Sequence, residues 1–281
     1  MILNELEKMG VHAQRTELLR EKDGVIVARV FCGERTAVVK AFCREQDRRE
    51  IENYRVLQAL SVPTLRLFAA TDAAILLEDV CASPLLRLGR PADLDDESVA
   101  RALAQWYRTL HDAGENHVLT RTKALYSECD FVSESCVKRI IDALNLAQNP
   151  GWNLLLRRIE AVRSRIRSTP MTLTYNDFYY TNLAVAADAS SALMFDYNLL
   201  GRGLAASDVR NVLSSLTPRA GAAFLAAYGP INPVEQQLDA VVSPVSSLYL
   251  ALSRPAFPAW AQQIVDDSLA RLEPAVRRLT E

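Results

Sequence analysis

The chain has 281 residues, 49% of them hydrophobic, and its 32 Lys and Arg residues nearly balance its 34 Asp and Glu residues, for a net charge of −2. This length suffices for one large domain or two modest lobes with a real core. The charge balance argues against a nucleic-acid-binding protein, which is usually strongly basic. Charged residues within positions 1–8 interrupt the apolar run of a signal peptide, and no apolar stretch is long enough to span a bilayer. We therefore predict a cytoplasmic protein that binds neither nucleic acid nor a membrane, and no obligate protein partner is evident.

The cysteines are odd in number and widely spaced: Cys32, Cys43, Cys81, Cys129 and Cys136. No two of them form a Cys-x-x-Cys pair, which argues against a zinc site. Because disulfides are rare in a reducing cytoplasm, we expect free, buried thiols.

The N-terminal part of the sequence predicts strands joined by tight turns. Asp23-Gly24 is a dipeptide typical of two-residue hairpin turns, and the runs around it are rich in β-branched and aromatic residues. Strands are expected at residues 16–20, 25–31, 36–42, 65–69 and 74–77. Apolar residues at near-helical spacing between the third and fourth runs predict one helix, which ends before Pro63. The sum is an antiparallel sheet interrupted by a helix, with residues 75–80 as an edge strand.

From about residue 94 the sequence is mostly helical, apart from a strand-rich insert at residues 172–196. One predicted helix carries four apolar residues on a single face: Leu155, Ile159, Val162 and Ile166. We predict a small N-terminal lobe at residues 1–79 and a larger, helical C-terminal lobe at residues 80–281. A cleft between two lobes is a usual place for a ligand.

The most informative pattern is an Asp, an Asn five positions later, and a second Asp after an apolar run: Asp177, Asn182 and Asp196. This is the layout of a phosphoryl-transfer site. The carboxylate of Asp177 would accept the proton of an attacking hydroxyl. Asn182 and Asp196 would offer oxygen ligands to Mg²⁺, which takes few ligands from the protein and the rest from phosphates and water. Short apolar runs flank residues 177–182, so we expect a rigid loop between two paired strands.

A second group of candidates lies in the predicted sheet and its helix. Lys40 ends an apolar strand, and Glu50 opens the helix that follows, where it could pair with the lysine ammonium group. Such an ion pair would hold Lys40 against the phosphates of ATP. Backbone groups of Glu78 and Val80, next to the predicted boundary between the lobes, are candidates for binding an adenine edge.

This set of residues resembles the aminoglycoside phosphotransferase and choline kinase family, the small-molecule branch of the protein-kinase-like fold. The resemblance implies an α+β, two-lobed fold, with a small antiparallel-sheet N-lobe for the nucleotide and a larger helical C-lobe. It also implies a catalytic loop at residues 174–198, followed by a helical region that binds the acceptor. ATP and Mg²⁺ are the implied cofactors.

The resemblance assigns a role to each candidate. Asp177 is implied to be the catalytic residue, Asn182 and Asp196 the metal ligands, and Lys40 with Glu50 the phosphate-binding pair. Residues 201–208 resemble the family segment after the metal-binding Asp, and Asp208 would support the catalytic loop from a helix. The implied activity is transfer of the γ-phosphate of ATP to a hydroxyl of a small polar acceptor, such as an amino-alcohol, a sugar or an aminoglycoside-like molecule.

Two features depart from the family pattern. Tyr175 and Asn176 stand where the family has His and Gly before the catalytic Asp, and Gly24 alone stands where a glycine-rich loop would cover the phosphates. They favour an alternative, a catalytically weak pseudokinase that acts as a nucleotide-binding or interaction module. Phosphorylation of proteins is a third reading, but the short connection between Asp196 and Asp208 leaves little room for a peptide-docking loop.

The nature of the acceptor is the least defined part of the sequence-based hypothesis. In residues 211–281, six acidic residues stand against five arginines. This near balance gives no support for an acidic wall that would bind a polycationic drug. We therefore predict that aminoglycoside resistance is not the main role.

Overall fold

The computed structural model describes residues 1–120 and 125–280. The chain divides into two compact units. The first contains Met1–Gly114, Tyr175–Leu200 and Asn211–Gly229, and the second contains Glu115–Thr174, Gly201–Arg210 and Pro230–Glu281. The predicted lobe boundary between residues 79 and 80 stays a prediction. Within the described part of the chain, each helix is too short or too polar to cross a membrane.

The regular elements follow the order predicted from the sequence, first mainly strands and then mainly helices. The strands in chain order are β1 (Arg15–Lys22), β2 (Val25–Cys32), β3 (Arg35–Phe42), β4 (Leu67–Ala70), β5 (Ala74–Glu78), β6 (Leu86–Leu88), β7 (Thr172–Thr174), β8 (Leu183–Ala186), β9 (Ala192–Met194) and β10 (Gly201–Gly203). The helices are α1 (Ile2–Lys8), α2 (Arg49–Ala59), α3 (Glu97–Thr120), α4 (Glu134–Ala143), α5 (Pro150–Arg157), α6 (Ile159–Ser168), α7 (Ala205–Leu213), α8 (Pro218–Tyr228), α9 (Pro233–Ala251) and α10 (Ala259–Thr280).

The first unit contains a five-stranded antiparallel sheet with the strand order β1-β2-β3-β5-β4. The predicted strands and the helix α2 between the third and fourth of them are confirmed. One face of the sheet buries small and β-branched side chains, including Ala28, Val30 and Val39, which pack with Leu6 of α1. Alternate residues of a strand point to opposite faces, so this apolar pattern places the inward-facing residues in one core.

The prediction that residues 75–80 form an edge strand is wrong. β5 pairs with β3 on one side and with β4 on the other. Its apolar residues are buried: Ala74, Ile75, Leu76 and Leu77. The unbroken apolar run indicates that both faces of β5 are covered, whereas its two strand partners make it an interior strand of the sheet. The edge strands of the sheet are instead β1, whose residues are all exposed, and β4.

A three-stranded sheet with the order β6-β8-β9 borders the segment that carries the predicted catalytic residues. The Phe195 amide donates to the carbonyl of Asn182 at 2.9 Å, so the chain after β9 lies beside the start of β8. The predicted pairing of the two strands that flank residues 177–182 is wrong. β8 uses its hydrogen-bonding edges for β6 and β9, whereas β7 pairs with β10 in the second unit.

The second unit is mainly helical, with a core formed among α4, α5, α6, α9 and α10. Trp152 is fully buried in this core and donates its indole N–H to Ser268 at 3.1 Å. The prediction of a single helix through Leu155 and Ile159 is wrong, because the chain breaks at Arg158 into α5 and α6. Both apolar residues remain in the core. Their spacing therefore predicted correctly that they are buried, but it did not predict the break between the two helices.

All five cysteines are free, as predicted, but they are not all buried. Cys43 and Cys81 are exposed, since Cys43 directly follows β3 and Cys81 lies in the short helical turn after β5. Cys129 is buried, and its burial raises the pKa of its thiol to about 12. The sequence spacing that argued against a zinc site carried no information on the exposure of the cysteines.

Candidate active site

Lys40 joins the two groups of predicted site residues. It lies on β3, and its side chain is only 12% exposed. Its Nζ donates to Glu50 Oε2 at 2.5 Å and to Asp196 Oδ1 at 2.7 Å. Burial lowers the pKa of Lys40, but the attraction of the two carboxylates more than offsets this effect, so the pKa is raised. The ammonium group therefore stays charged and connects the sheet to the residue that follows β9.

Glu50 is buried in the first turn of α2, where it can meet the lysine of the neighbouring strand. Burial raises the pKa of Glu50 to about 7, Lys40 opposes this shift, and Asp196 adds to it. A carboxylate in such a place needs a cation beside it. The contact with Lys40 thus fixes the positions of both side chains.

Asp196 has an uncommon backbone conformation. Its φ of 65° and ψ of 67° lie in the left-handed region, which Asp tolerates better than most non-glycine residues. The carboxylate contacts Lys40 through Oδ1, while Oδ2 makes no hydrogen bond with any described residue. One oxygen of Asp196 is therefore available to a further ligand.

Asp177 and Asn182 lie together in the same unit as Lys40. Asn182 Nδ2 donates to Asp177 Oδ2 and to the Asp177 carbonyl, each over a long distance of 3.4 Å. Burial raises the pKa of Asp177 to about 6, the negative charge of Asp196 adds to the shift, and Lys40 opposes it. Asp177 is therefore close enough to Asp196 for the two carboxylates to influence each other. The structure brings the five residues Lys40, Glu50, Asp177, Asn182 and Asp196 into one group.

The two residues that depart from the family pattern both hold the loop to the segment around Asp196. Tyr175 is fully buried, and its hydroxyl donates to the carbonyl of Phe195 at 2.5 Å. Asn176 has a left-handed φ of 65°, which glycine adopts freely and Asn tolerates. Its side-chain amide donates to the Leu199 carbonyl at 2.9 Å. Both replacements thus contribute hydrogen bonds to the main chain of the neighbouring segment.

An aromatic cluster supports the segment after β9 and was not predicted from the sequence. The buried Tyr197 ring packs edge-on against Tyr54, with centroids 4.7 Å apart, and stacks on Trp106 at 6.5 Å. Asn53 Nδ2 donates to the Tyr197 carbonyl at 2.8 Å. Glu50, Asn53 and Tyr54 share one face of α2, because residues three and four apart are neighbours on a helix. This spacing in the sequence could have indicated that the three residues contact the same neighbouring segment.

Glu78 and Val80 line the same cavity as Lys40. The Glu78 amide already donates to the carbonyl of Arg66 at 2.9 Å. The Val80 amide makes no hydrogen bond with a described residue, so it is the better candidate donor to an adenine edge. Their predicted role stays a prediction.

The residue between them, Asp79, was missed by the sequence reasoning. It is 5% exposed, accepts from Arg29 Nε at 2.6 Å, and caps the following turn by accepting from the Cys81 amide at 3.1 Å. An arginine in the middle of the apolar strand β2 was the signal that could have revealed it, because a partly buried guanidinium needs a carboxylate partner.

Asp208 lies on α7 in the second unit and is 1% exposed. Its negative charge is one of the causes that raise the pKa of Glu128 in the same unit. Burial raises the pKa of Glu128 to about 7, Arg210 opposes the shift, and Asp239 and Asp208 add to it. The role predicted for Asp208, support of the catalytic loop, stays a prediction.

A cavity of about 680 Å³ contains much of this group. This volume is within the usual range of small-molecule sites, roughly 300 to 1,000 Å³. Its apolar walls include the sheet residues Val25, Val27, Val38 and Leu77. Lys40, Glu50, Asn182 and Asp196 line it as well. Such a cavity suits a ligand with a flat apolar part and a charged part.

The residues present fit a magnesium ion held by few protein ligands. Asn182 directs its amide nitrogen to Asp177, which leaves its amide oxygen for a cation, and Asp196 Oδ2 makes no hydrogen bond with a described residue. Among the residues that the structure describes, no cluster of three His, Cys, Asp or Glu side chains could hold a metal by itself. Oxygen ligands from one amide and one carboxylate are in keeping with Mg²⁺, which retains water and binds phosphate oxygens.

No protein-family model matches the sequence, and no curated protein matches it. Solved structures do match. A macrolide 2′-phosphotransferase from Brachybacterium faecium is 15% identical, with a TM-score of 0.61 over 97% of both chains. A choline/ethanolamine kinase family protein from Mesorhizobium loti is 14% identical, with a TM-score of 0.63 over 94% of this chain and 92% of that one. The chain has a kinase-like fold.

A third structure of the kinase-like fold contains a nucleotide. A spectinomycin phosphotransferase in complex with ADP and spectinomycin is 12% identical, with a TM-score of 0.54 over 98% of this chain and 95% of that one. The predicted α+β class and the resemblance to small-molecule phosphotransferases are thus confirmed at the level of the fold. In this structure Lys40 lies on the sheet and Glu50 on the helix that follows it, as the sequence predicted.

Proposed function

We propose that the protein is a small-molecule kinase, which transfers the γ-phosphate of ATP to a hydroxyl group of a small polar acceptor. One observation is the main support for the proposal. Lys40 Nζ contacts the carboxylates of both Glu50, at 2.5 Å, and Asp196, at 2.7 Å, and Asp177 is near enough to Asp196 to be affected by its charge. The kinase-like fold and the similar phosphotransferases support it.

Asp177 orients the acceptor hydroxyl and accepts its proton on a carboxylate oxygen. A pKa of about 6 leaves this carboxylate largely ionised at neutral pH, and it still makes the group a better proton acceptor than an exposed Asp. Asn182 holds the side chain of Asp177 in place through its amide nitrogen. Positioning of this kind supplies more of the rate than the proton transfer itself.

Lys40 binds phosphate oxygens of the nucleotide, and Glu50 holds the lysine in position. Asn182 and Asp196 would hold Mg²⁺, which when bound neutralises the charge that develops on the phosphates. Val80 would donate its amide to the adenine edge, and Glu78 would contribute its carbonyl. The free cysteines fit a reducing compartment, so we place the activity in the cytoplasm.

The acceptor is proposed as a class only. The structures of similar fold are named for a macrolide, for choline or ethanolamine, and for spectinomycin. We propose an amino-alcohol, a sugar or an aminoglycoside-like molecule, with aminoglycoside resistance not the main role. Growth of a sensitive host that carries this gene on aminoglycosides would contradict the last point.

A phosphate-transfer screen with Mg-ATP across amino-alcohols, sugars and aminoglycosides tests the function. We expect one acceptor class to support turnover clearly above hydrolysis by water. Asp177→Asn should lower kcat by a factor of about 10² to 10⁴, the usual contribution of a general base, and should leave binding of Mg-ATP intact. Asp188→Asn, in the exposed turn between β8 and β9, is the matched control and should change neither quantity.

The same experiment separates an enzyme from a pseudokinase. Thermal stabilisation by Mg-ATP without turnover for any acceptor class would favour a nucleotide-binding module. Absence of both binding and turnover would rule out both functions.

A further inference from the structure

The turn between β1 and β2 is too short to wrap a phosphate with backbone amides. Lys22 pairs with Val25, so the turn contains only Asp23 and Gly24. Both have positive φ values, 52° and 82°, as a type I′ hairpin turn requires. A phosphate cradle made of main-chain N–H groups needs several successive amides directed at one point, and this turn does not supply them.

The turn is also fixed to the connection between β3 and α2. The Cys43 amide donates to the Gly24 carbonyl at 2.8 Å. A Cβ atom at Gly24 would lie 3.1 Å from Arg44 Nε and 3.2 Å from Arg44 Cγ. The Arg44 side chain therefore packs directly on the glycine, which allows this close approach because it has no side chain.

Three cations next to this turn line the cavity that contains Lys40: Arg20, Lys22 and Arg44. The Arg20 side chain makes no ion pair or hydrogen bond with a described residue. Lys22 has only a loose contact of 3.9 Å with Asp23, and both side chains are exposed. Arg44 bonds to Asp47 through Nε at 2.7 Å, and its two terminal amino groups have no partner in the described part of the chain.

Lys40 by itself cannot supply the positive charge that a polyphosphate needs. Its ammonium group already contacts the carboxylates of Glu50 and Asp196. When both carboxylates are ionised, this trio carries a net negative charge. Mg²⁺ would offset part of this charge, and further cations in the same cavity would add to the attraction for a ligand that carries several negative charges.

We propose that Arg20, Lys22 and Arg44 form a side-chain clamp for the polyphosphate of a nucleoside triphosphate, in place of a glycine-rich backbone loop. This inference rests on the proposed function, because it concerns the nucleotide of the same site. Charged side chains at the surface attract phosphates through an interaction that salt screens. Affinity for the nucleotide should therefore rise with the number of phosphates and fall steeply with ionic strength.

Isothermal titration calorimetry with Mg-ATP, Mg-ADP and adenosine tests the clamp in the full chain, at low and at high salt. We expect Arg20→Ala, Lys22→Ala and Arg44→Ala each to raise the Kd for Mg-ATP by roughly three- to tenfold at low salt, as for a partly exposed charge pair. The effect should be smaller for Mg-ADP and absent for adenosine. The triple variant should also lose most of the salt dependence.

Arg35→Ala is the matched control, because Arg35 is an exposed cation at the start of β3 and does not line the cavity. It should leave every Kd unchanged. Arg44→Lys keeps the charge and should retain most of the affinity for Mg-ATP.

The outcomes separate the clamp from the proposed function. If the wild-type protein binds Mg-ATP and the three alanine variants bind it equally well, the clamp is wrong and the kinase assignment stands. Equal loss of affinity for Mg-ATP and adenosine would also overturn the clamp, because it would indicate a damaged cavity. If the wild-type protein binds no nucleotide, both proposals fail.

Discussion

The carboxyl group of Asp177 lies in a half-buried position next to the negative charge of Asp196, and its pKa is raised from 3.8 to about 6. Burial is the main cause, Asp196 adds to it, and Lys40 opposes it. The folded protein therefore binds this proton more tightly than the unfolded chain does. The resulting stability is fully present below the unfolded pKa and is lost as the pH rises through about 6. The residue proposed for catalysis thus destabilises the fold at neutral pH.

Asp177→Asn removes this titration and should change the dependence of stability on pH. The quantity to compare is the unfolding free energy of the variant minus that of the wild type. We expect this difference to be about 1–2 kcal/mol larger at about pH 8 than at about pH 5. Urea denaturation at the two pH values measures it. The exposed Asp142→Asn serves as control. A difference between Asp177→Asn and wild type that does not change with pH would contradict the buried, raised pKa.

Tyr175 connects the catalytic loop to the main chain just before Asp196. Tyr175→Phe keeps the ring in its buried site but removes the hydroxyl that donates to Phe195. We expect a loss of about 1–2 kcal/mol in unfolding free energy, because the carbonyl loses its hydrogen-bond partner. We also expect a lower kcat, because the position of Asp196 depends on this contact. Denaturation and the transfer assay report the two effects, and unchanged values for both would show that the hydroxyl plays no part.

At the scale of elements, an ion pair fixes the end of β5. Asp79 accepts from Arg29 Nε at 2.6 Å, and the two side chains are only 3% and 21% exposed. Arg29 also lies 3.6 Å from Glu17 of β1. The guanidinium therefore ties the segment that ends at Val80 to the first two strands, and the candidate adenine contacts depend on that connection.

Asp79→Ala should destabilise the protein by roughly 2–4 kcal/mol, because it leaves the mostly buried Arg29 without its main partner. Glu134→Ala is the matched control. Its contact with Lys138 is similarly short at 2.5 Å, but the two side chains are 63% and 56% exposed, so a much smaller loss is expected because water screens the pair. If thermal denaturation showed the same loss of stability for both variants, burial would not determine the strength of these two ion pairs.

At the scale of the molecule, the proposed nucleotide cavity is lined by an exposed thiol, that of Cys81. Cys43 is also exposed, but it does not line the cavity. The two cysteines therefore offer an internal comparison between a site that a nucleotide would cover and one that it would leave open.

Mg-ATP should protect Cys81 from alkylation by iodoacetamide and leave the alkylation of Cys43 unchanged. At a ligand concentration ten times the Kd, simple occupancy predicts a rate about tenfold lower for Cys81. Peptide mass spectrometry over a time course gives both rates from one sample. Equal rates for Cys81 with and without Mg-ATP would place the nucleotide elsewhere.

Much of the fold could be predicted because the sequence patterns that indicate it extend over only a few neighbouring residues. The hairpin turn at Asp23-Gly24, the strands on both sides of it and α2 depend on turn chemistry and periodicity within a few residues. Strand partners could not be predicted in this way. β5 is an interior strand, and β7 pairs with β10, because a strand's hydrogen-bonding edge can be taken by segments far away in sequence.

By itself, the sequence determined the local elements of the sheet and the residue types of the candidate site, since phosphoryl transfer requires a base, oxygen ligands for a metal and a lysine in a set order. Only the tertiary structure decided that Lys40 contacts Glu50 and Asp196 at once, and that Tyr175 and Asn176 tether the loop. It also decided the raised pKa of Asp177. Distance and burial set these properties, and both arise from segments that come together only when the chain folds.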